Sequence, residues 1–353
     1  MKMPSQIALT FSLIFSLHAH SGTTAETQNL ENFLFPNPPV QNAAVTETIL
    51  VSKNGQLIYE KSKPGFTSDK PHILWSVTKS VSSLVVGAAV ESRLVDVEES
   101  VCQIAPQYKD KIDCRMKLSD ILEWSSGLNF LEVYEGNADR TQSSVGQMLY
   151  GDGHKDNVSF ILGHKQIHDP GKYFYYSSGD SGLTLGLLKY RLPLEKYKKF
   201  PDQKLFEPLG IQSAVFETDL QGHYMSGTSL YMTSHDLLKI GLLVLQQGLH
   251  NGQRLVPAKW ISYLTTTLPH FQGSQSDPLW IPCRQWWRPN LKNMGLENHP
   301  HVPADIYVAR GHWGQYLVVI PSMKLVAVRF GLDQKKNLDE SRFIKHLIDL
   351  GAE

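Results

Sequence analysis

The sequence predicts an α/β fold of the α+β type. One antiparallel sheet is built from both ends of the chain and flanked by helices, and a mostly helical lobe is inserted between the two ends. Two β-rich runs surround Asn54-Gly55, a dipeptide that favours the tight turn of a β-hairpin. Three further β-rich runs, separated by turn residues, lie near the other end: residues 305–309, 315–320 and 325–331.

Helical periodicity predicts the elements that surround this sheet. In chain order they are residues 77–92, 118–124, 236–247, 257–266 and 338–350. We expect residues 45–95 together with 226–353 to form the α/β lobe, and residues 96–225 to form the helical lobe.

The N-terminal segment is expected to lie outside the fold. Lys2 precedes an apolar run, residues 7–17, and small residues follow, with a plausible cleavage site at 19–21. This is the organisation of a secretory signal peptide. An uncleaved membrane anchor is the alternative, but the run is short for a bilayer span. We predict a signal peptide over residues 1–21, a linker or arm over 22–44, and a secreted or periplasmic protein with no transmembrane segment after signal removal.

Charge and motif content exclude several classes of function. The 353 residues include 34 Lys and Arg and 34 Asp and Glu, giving a formal net charge of zero. No basic block or stripe indicates nucleic-acid binding. The chain lacks a Gly-x-Ser-x-Gly elbow, a His-Glu-x-x-His motif and a phosphate-binding glycine-rich loop. His164 and His168 have metal-ligand spacing, but a solvent-facing pair is favoured because no acidic or cysteine partner is near. We expect no cofactor and no metal.

Cysteine positions are informative in an exported protein. Cys102 and Cys114 flank a polar, lysine-rich loop. An oxidising compartment favours a disulfide between them over two buried free thiols. Such a bridge would close a loop of about a dozen residues and stabilise the fold by roughly 3 kcal/mol. Cys283 is left as a structural thiol.

Ser76 and Lys79 form a Ser-x-x-Lys motif at the start of the first predicted helix. Residues three apart on a helix share one face, so the hydroxyl and the amine should meet. A serine hydroxyl is a poor nucleophile until a neighbouring base removes its proton. A lysine that is shielded from water can be that base, or can tune another one.

Two later motifs bear on the same chemistry. Tyr176 follows a Pro-Gly turn, and positive charge near its hydroxyl would make it easier to deprotonate, so it is a second candidate base; the alternative is a turn tyrosine packed on the core. Gly311 and Gly314 surround His312 and permit close backbone approach to a ligand. The backbone N–H of Gln315, with that of Ser76, could form an oxyanion hole. The alternative is that this segment forms a β-bulge in which His312 is exposed and has no role in catalysis or binding.

Together these motifs resemble the penicillin-recognising serine hydrolases: class C β-lactamases, D-Ala-D-Ala carboxypeptidases, related esterases and aminohexanoate-dimer hydrolases. The similarity runs from about residue 45 to 335 and implies a β-lactamase/transpeptidase-like fold. The matching segments are WSVTKS at 75–80, LEWSSGL at 122–128, the Pro-Gly to Tyr-Ser-Ser segment at 170–178, and His-Trp-Gly at 312–314.

The resemblance implies a role for each matching position. Ser76 would be the acylated nucleophile, Lys79 and Tyr176 would share general-base work, and the N–H groups of Ser76 and Gln315 would form the oxyanion hole. The residues that would bind the substrate are Ser178, His312, Trp313 and Gly314.

Two departures from the family pattern narrow the expected activity. Ser178 stands where many relatives have Asn, and His312 stands where β-lactamases have Lys. Both argue against an efficient β-lactamase, because a substrate-binding amide and a permanent cation are lost. They favour the esterase and aminohexanoate-dimer hydrolase branch, and so does the Trp286-Trp287 pair. These two tryptophans are expected either to cover the cleft or to pack in the core.

We therefore expect an exported serine hydrolase that acts on a small ester, amide or peptide through a Ser76 acyl-enzyme. The alternatives are a non-catalytic or very slow penicillin- or peptide-binding protein of the same fold, and a D-Ala-D-Ala carboxypeptidase.

Overall fold

The computed structural model describes residues 24–38, 44–134, 142–268, 271–274, 277–335 and 337–353. The signal peptide predicted over residues 1–21 lies outside these ranges, as does part of the predicted linker. None of the helices in the described ranges combines the length and the apolar character that crossing a bilayer would require.

Helices occur throughout the described residues. They are α1 (Ala25–Leu34), α2 (Val77–Glu91), α3 (Val101–Ile104), α4 (Leu118–Leu122), α5 (Ser144–Tyr150), α6 (Asn157–Leu162), α7 (Ser178–Gly186), α8 (Leu194–Tyr197), α9 (Ser234–Leu245), α10 (Ala258–Thr265) and α11 (Glu340–Ala352).

The strands of five or more residues lie near the two ends of the described chain, and short strands lie between them. They are β1 (Thr46–Lys53), β2 (Gln56–Ser62), β3 (His72–Ile73), β4 (Tyr173–Phe174), β5 (Val215–Phe216), β6 (Leu230–Met232), β7 (Leu249–His250), β8 (Gln253–Arg254), β9 (Gly273–Ser274), β10 (Trp280–Pro282), β11 (Trp287–Pro289), β12 (Tyr307–Gly311), β13 (Gln315–Ile320) and β14 (Leu325–Gly331).

The main sheet has seven antiparallel strands in the order β10-β11-β12-β13-β14-β1-β2. Strands β1 and β2 come from the N-terminal part and the other five from the C-terminal part, so the predicted sheet built from both ends is confirmed. The hairpin between β1 and β2 turns at Asn54 and Gly55, with φ values of 54° and 78°. Both lie in the left-handed region that this turn requires.

Helices cover both faces of this sheet. Strand β14 is buried along its whole length, which a sheet with one solvated face would not show. On one face α9 packs against β13 and β14, while the other face is part of a separate core that includes buried side chains of α1 and α11. The core on the α9 side of the sheet also contains buried side chains of α2, and it extends into the helices α3 to α8. The lobe boundaries at residues 95 and 225 therefore stay predictions.

Helix α1 differs from the linker or arm expected for residues 22–44. Thr24 caps it by accepting a hydrogen bond from the Thr27 N–H at 3.2 Å. Leu30 and Leu34, one turn apart, are buried, and the helix packs against α11. This polar segment is helical because its few apolar residues fall on one face and meet a helix from the other end of the chain.

The cysteines of the described residues have different environments. Cys102 and Cys114 form a disulfide with their Cα atoms 5.3 Å apart. Cys283 is a buried free thiol, and its burial raises the pKa to about 12. A thiol so hard to ionise is suited to packing rather than to nucleophilic chemistry.

Candidate active site

Ser76 lies immediately before α2, at a close crossing of two chain segments. The Leu74 N–H donates to the Leu230 carbonyl at 2.9 Å, which ties the segment before the serine to β6. On the other side, a Cβ placed on Gly311 would be 2.4 Å from the Leu74 carbonyl oxygen. Only glycine allows this approach, so Gly311 brings the end of β12 against the segment that precedes Ser76.

Lys79 is buried and points at Ser76. Its Nζ is 2.8 Å from Ser76 Oγ and 2.9 Å from Ser178 Oγ, and it donates to the Gly227 carbonyl at 2.6 Å. Burial lowers the pKa of the amine to about 8, although the negative charge of Glu132 opposes that shift. The helical spacing of Ser76 and Lys79 thus places a hydroxyl within reach of an amine that is partly neutral near physiological pH.

Tyr176 lies beside the same pair, but it is not acidic. The Lys79 Nζ is 5.0 Å from the centre of its ring. Burial raises the pKa of the phenol far above its usual value, and Glu132 adds to the shift, while a hydrogen bond with Ser76 and the charge of Arg310 act in the opposite direction. Loss of solvation therefore opposes the effect expected from a nearby positive charge, and a general-base role of Tyr176 stays a prediction.

Ser178 is fully buried at the N-terminus of α7, behind Lys79. Its N–H donates to Glu132 at 2.9 Å, and its hydroxyl also donates to the Glu132 carboxylate. The hydroxyl of Tyr134 donates to the same carboxylate. The resemblance implied that Ser178 lines the substrate cleft. The structure instead places it between Lys79 and Glu132, where its hydroxyl hydrogen-bonds to both and has no access to the cleft.

Asp180 connects two of the segments that carried the resemblance. Its carboxylate accepts from the Ser126 hydroxyl at 2.7 Å and from the Ser177 hydroxyl at 3.3 Å. Ser177 in turn caps α7 by accepting from the Asp180 N–H. Burial raises the pKa of Asp180 to about 7. These bonds join the loop after α4 to the start of α7 and so hold the residue that precedes the cap, Tyr176.

The His312–Gln315 turn is supported from below by a buried ion pair. Arg329 is fully buried and donates to the Gly314 carbonyl and to Asp333, both at 2.8 Å. Gly314 has a φ of 86°, and a Cβ there would be 2.2 Å from the Asp333 carboxylate. The Gln315 side chain donates to the Gly331 carbonyl at 2.8 Å. These contacts fix the first residue of β13, whose N–H is a candidate oxyanion donor.

A cleft of about 700 Å³ opens beside Ser76. His312 lines it and stacks on Tyr134, with ring centres 5.1 Å apart. Trp287 also lines it and stacks on the buried Trp124 at 5.5 Å. Trp287 therefore fills both roles left open for the tryptophan pair, core packing and cleft wall. Other cleft residues are Tyr176, Arg310, Trp313 and Gly314.

Sequence reasoning missed Glu132, Tyr134 and Arg310. Each contributes to the cleft or to the Lys79 surroundings. Glu132 and Tyr134 belong to no motif, and Arg310, which opens the segment that contains His-Trp-Gly, was given no role. Glu132 and Tyr134 lie on a loop after α4, where no periodicity predicts which side chains face inwards. Arg310 lies two residues after Val308 on β12. Residues two apart in a strand point to the same face, and this spacing was the available signal for the direction of the Arg310 side chain.

His164 and His168 do not face a common ligand. The His164 ring nitrogens lie 2.9 Å from the Phe160 carbonyl and 3.0 Å from Ser144 Oγ. His168 stacks on Tyr173 at 4.0 Å. Their spacing therefore reflects local packing.

Comparisons with known proteins identify the family and the fold of the chain. The beta-lactamase family model matches residues 40–342. The 6-aminohexanoate-dimer hydrolase of Paenarthrobacter ureafaciens is 23% identical over 266 residues, covering 71% of this chain and 67% of that protein. A candidate 6-aminohexanoate-dimer hydrolase from Bacillus anthracis superposes with a TM-score of 0.70 at 18% identity, covering 87% of this chain and 79% of the other. A class C beta-lactamase from Rhodobacter sphaeroides gives 0.63 at 15% identity, covering 88% and 95%. These structural matches confirm the predicted β-lactamase/transpeptidase-like fold.

Proposed function

The chain belongs to the beta-lactamase family, and from that premise we propose that it is a serine hydrolase that cleaves a small ester or linear amide through an acyl-enzyme on Ser76. One observation carries the proposal: the Nζ of a buried lysine lies 2.8 Å from the Oγ of a serine that lines a cleft. This is the contact that nucleophilic catalysis by serine needs.

The reaction follows from the groups around Ser76. Neutral Lys79 takes the hydroxyl proton as Ser76 Oγ bonds to the carbonyl carbon. The carbonyl oxygen becomes an oxyanion, which the N–H groups of Ser76 and Gln315 would stabilise. The intermediate then collapses: the bond between the carbonyl carbon and the leaving group breaks, and the Lys79 ammonium gives its proton to the leaving group while neutral Tyr176 donates a hydrogen bond to it. In the second half, neutral Lys79 takes a proton from a water molecule as the water oxygen bonds to the acyl carbon. The bond between that carbon and Ser76 Oγ breaks, Lys79 returns the proton to Ser76, and the acid leaves.

The substrate class is inferred from what the cleft offers a carbonyl compound. Trp287 and Tyr134 line the cleft, and His312 stands where β-lactamases have Lys. The Arg310 guanidinium also lines the cleft, but it is paired with Asp277 and Glu340. A neutral or flexible acyl group suits this surface better than a bicyclic lactam carboxylate. The 23% identical relative is named for hydrolysis of the 6-aminohexanoate dimer, a linear amide, and supports the same choice.

Covalent labelling tests the nucleophile. A fluorophosphonate probe should add one label per chain to the wild type and to Ser341→Ala, which removes another serine of the cleft. Ser76→Ala should take none. A label that persists in Ser76→Ala contradicts the proposal. A wild type that takes no label and also fails to hydrolyse p-nitrophenyl esters would instead favour the alternative of a non-catalytic penicillin- or peptide-binding protein.

A substrate panel tests the chemistry. Short p-nitrophenyl esters, the 6-aminohexanoate dimer, a D-Ala-D-Ala peptide and nitrocefin are compared at equal enzyme concentration. We expect the esters and the linear amide to have a higher kcat/KM than nitrocefin and the peptide. A preference for nitrocefin would identify a β-lactamase, and a preference for the peptide a carboxypeptidase.

Export is part of the proposal. The apolar run at residues 7–17 and the Cys102–Cys114 bridge both support a secreted or periplasmic location. N-terminal sequencing of the protein recovered from the extracytoplasmic fraction should give a mature chain that starts near residue 22. Recovery of the uncleaved chain from the cytoplasm contradicts export and leaves the hydrolase proposal standing.

A further inference from the structure

A continuous chain of hydrogen bonds leads from the nucleophile to a carboxylate. Ser76 Oγ contacts Lys79 Nζ, Lys79 Nζ contacts Ser178 Oγ at 2.9 Å, and the Ser178 hydroxyl donates to Glu132. Lys79 and Ser178 are both buried. Water therefore screens the contact between Lys79 and Ser178 less than it would screen a surface ion pair.

The direction of these bonds gives Glu132 a definite effect on the amine. Because the Ser178 hydroxyl proton points to Glu132, the oxygen of Ser178 presents its lone pairs to Lys79. An acceptor in that orientation holds an N–H of the amine. The same acceptor stabilises the ammonium that forms when the amine takes a proton. The negative charge of Glu132, two hydrogen bonds away, stabilises the ammonium further.

The ammonium would have an acceptor for each of its three protons: Ser76 Oγ, Ser178 Oγ and the Gly227 carbonyl. The neutral amine uses two of them and turns its lone pair to Ser76. One fixed set of partners therefore serves both charge states, and the lysine gains a proton without having to move.

We propose that Glu132 is a positioning residue that acts on Lys79 through the Ser178 hydroxyl: it aims the amine at Ser76 and stabilises the ammonium formed when Ser76 is deprotonated. The inference rests on the proposed function. The step is a single proton transfer, from Ser76 Oγ to Lys79 Nζ, as the serine oxygen bonds to the acyl carbon. Glu132 takes no direct part in this transfer.

Other charged or titratable groups face this chain and must be separated from Glu132. Tyr176 lies beside Lys79, and Tyr134 donates to Glu132 from the same loop. His312 stacks on Tyr134, and Arg310 acts on Tyr176 from β12. Both tyrosines have pKa values raised by burial, so they stay neutral through the pH range in which Lys79 titrates.

Direct titration of Lys79 is the first test. The ¹³Cε resonance of the lysine, assigned by its loss in Lys79→Met, is followed against pH. The midpoint in the wild type should be near 8. In Glu132→Gln it should fall by about one pH unit, because the amine loses the nearby negative charge. Glu132→Asp, which keeps the charge, should stay close to the wild type.

Asp339→Asn is the matched control. Asp339 is a cleft carboxylate that caps α11 and lies outside the hydrogen-bonded chain, and asparagine is an equally good cap. Neutralising it should leave the Lys79 midpoint unchanged. An equal shift in Asp339→Asn and Glu132→Gln would mean that the general field of the cleft, not Glu132, sets the charge of Lys79, and would overturn the inference.

Kinetics supply the second readout. The ascending limb of kcat/KM against pH for p-nitrophenyl acetate should move to lower pH in Glu132→Gln by the same amount as the NMR midpoint. Its plateau should fall by up to about tenfold, since a less basic amine is a weaker proton acceptor. Glu132→Asp should restore the wild-type position of the limb. A merely structural role would lower the plateau and leave the limb in place.

The two proposals fail in different ways. An active wild type whose Lys79 midpoint and pH limb do not move in Glu132→Gln overturns the role of Glu132 and leaves the hydrolase intact. A Lys79 midpoint that shifts as expected in a protein that neither hydrolyses esters nor takes the fluorophosphonate label contradicts the proposed function alone.

Discussion

Lys79 Nζ lies 2.8 Å from Ser76 Oγ, at the end of a side chain that is only 2% exposed. An amine held this way is a base only while it is neutral. Burial lowers its pKa to about 8, so the neutral form becomes the major one just above physiological pH instead of above pH 10.

The first prediction is a pH dependence of acylation. Below the pKa Lys79 is an ammonium and cannot accept the Ser76 proton, so kcat/KM for an ester should rise with pH and reach half of its plateau near pH 8. The profile is measured with p-nitrophenyl acetate and corrected for spontaneous hydrolysis. A half-maximum near 10 would show that the pKa of Lys79 is not lowered, and a rate that falls between pH 6 and 8 would exclude neutral Lys79 as the base.

The second prediction separates the two candidate bases. Lys79→Met should lower kcat/KM by about 10³-fold or more, because the proton acceptor is gone. Tyr176→Phe should cost less, about 10- to 100-fold, because the raised pKa of the phenol makes it a hydrogen-bond donor instead of a base. The ascending pH limb should survive in Tyr176→Phe. Its disappearance there would assign the base to the phenolate.

The third prediction concerns the turn that presents Gln315. Gly314→Ala combines a positive φ of 86° with a Cβ that would lie 2.2 Å from Asp333 and 2.3 Å from Arg329. Both neighbours are fixed by their ion pair, so the turn must move. The cost should be about 3 kcal/mol or more in urea unfolding, with a marked loss of kcat/KM.

Gly295→Ala is the control for that variant. Its φ of 69° is equally left-handed, but nothing lies within 4 Å of the new Cβ. It should cost only about 1 kcal/mol and leave activity near the wild-type value. Equal costs for the two variants would show that backbone strain alone, and not the close approach to the ion pair, requires glycine at 314.

The main sheet and the contact between Ser76 and Lys79 could be predicted from the sequence because both depend on local periodicity. Alternating β-rich runs and the Asn54-Gly55 turn predicted the sheet, and a three-residue helical spacing predicted the contact of Ser76 with Lys79. Helix α1 was missed because its packing depends on α11, about three hundred residues away in the chain.

The rest of the site depends on burial, which no local pattern reports. The pKa of Tyr176 moves upwards because desolvation exceeds the effect of nearby positive charge, and the sequence shows only the charges. Glu132 lies on a loop, and its bond to Ser178 joins residues 46 positions apart. A carboxylate in such a place has no spacing that would distinguish it from a solvated one.

The last prediction tests the ion pair beneath the His312–Gln315 turn. Arg329 is fully buried, its Nε donates to Thr46 Oγ1 at 3.0 Å, and its guanidinium donates to Asp333 and to the Gly314 carbonyl. Arg329→Met would leave the Asp333 carboxylate buried without its cation. That loss should lower the free energy of unfolding by about 3–5 kcal/mol and reduce kcat/KM, because the first residue of β13 loses its support.

A double-variant comparison decides whether the charge or the packing matters. Asp333→Asn added to Arg329→Met removes the stranded charge, so the pair should cost less than the sum of the two single changes. Arg115→Met, which breaks an exposed bond to Asp113, should change the urea midpoint little. If the buried and exposed arginines gave equal effects, or if the two changes at 329 and 333 were additive, the ion pair would not be what holds the turn in place.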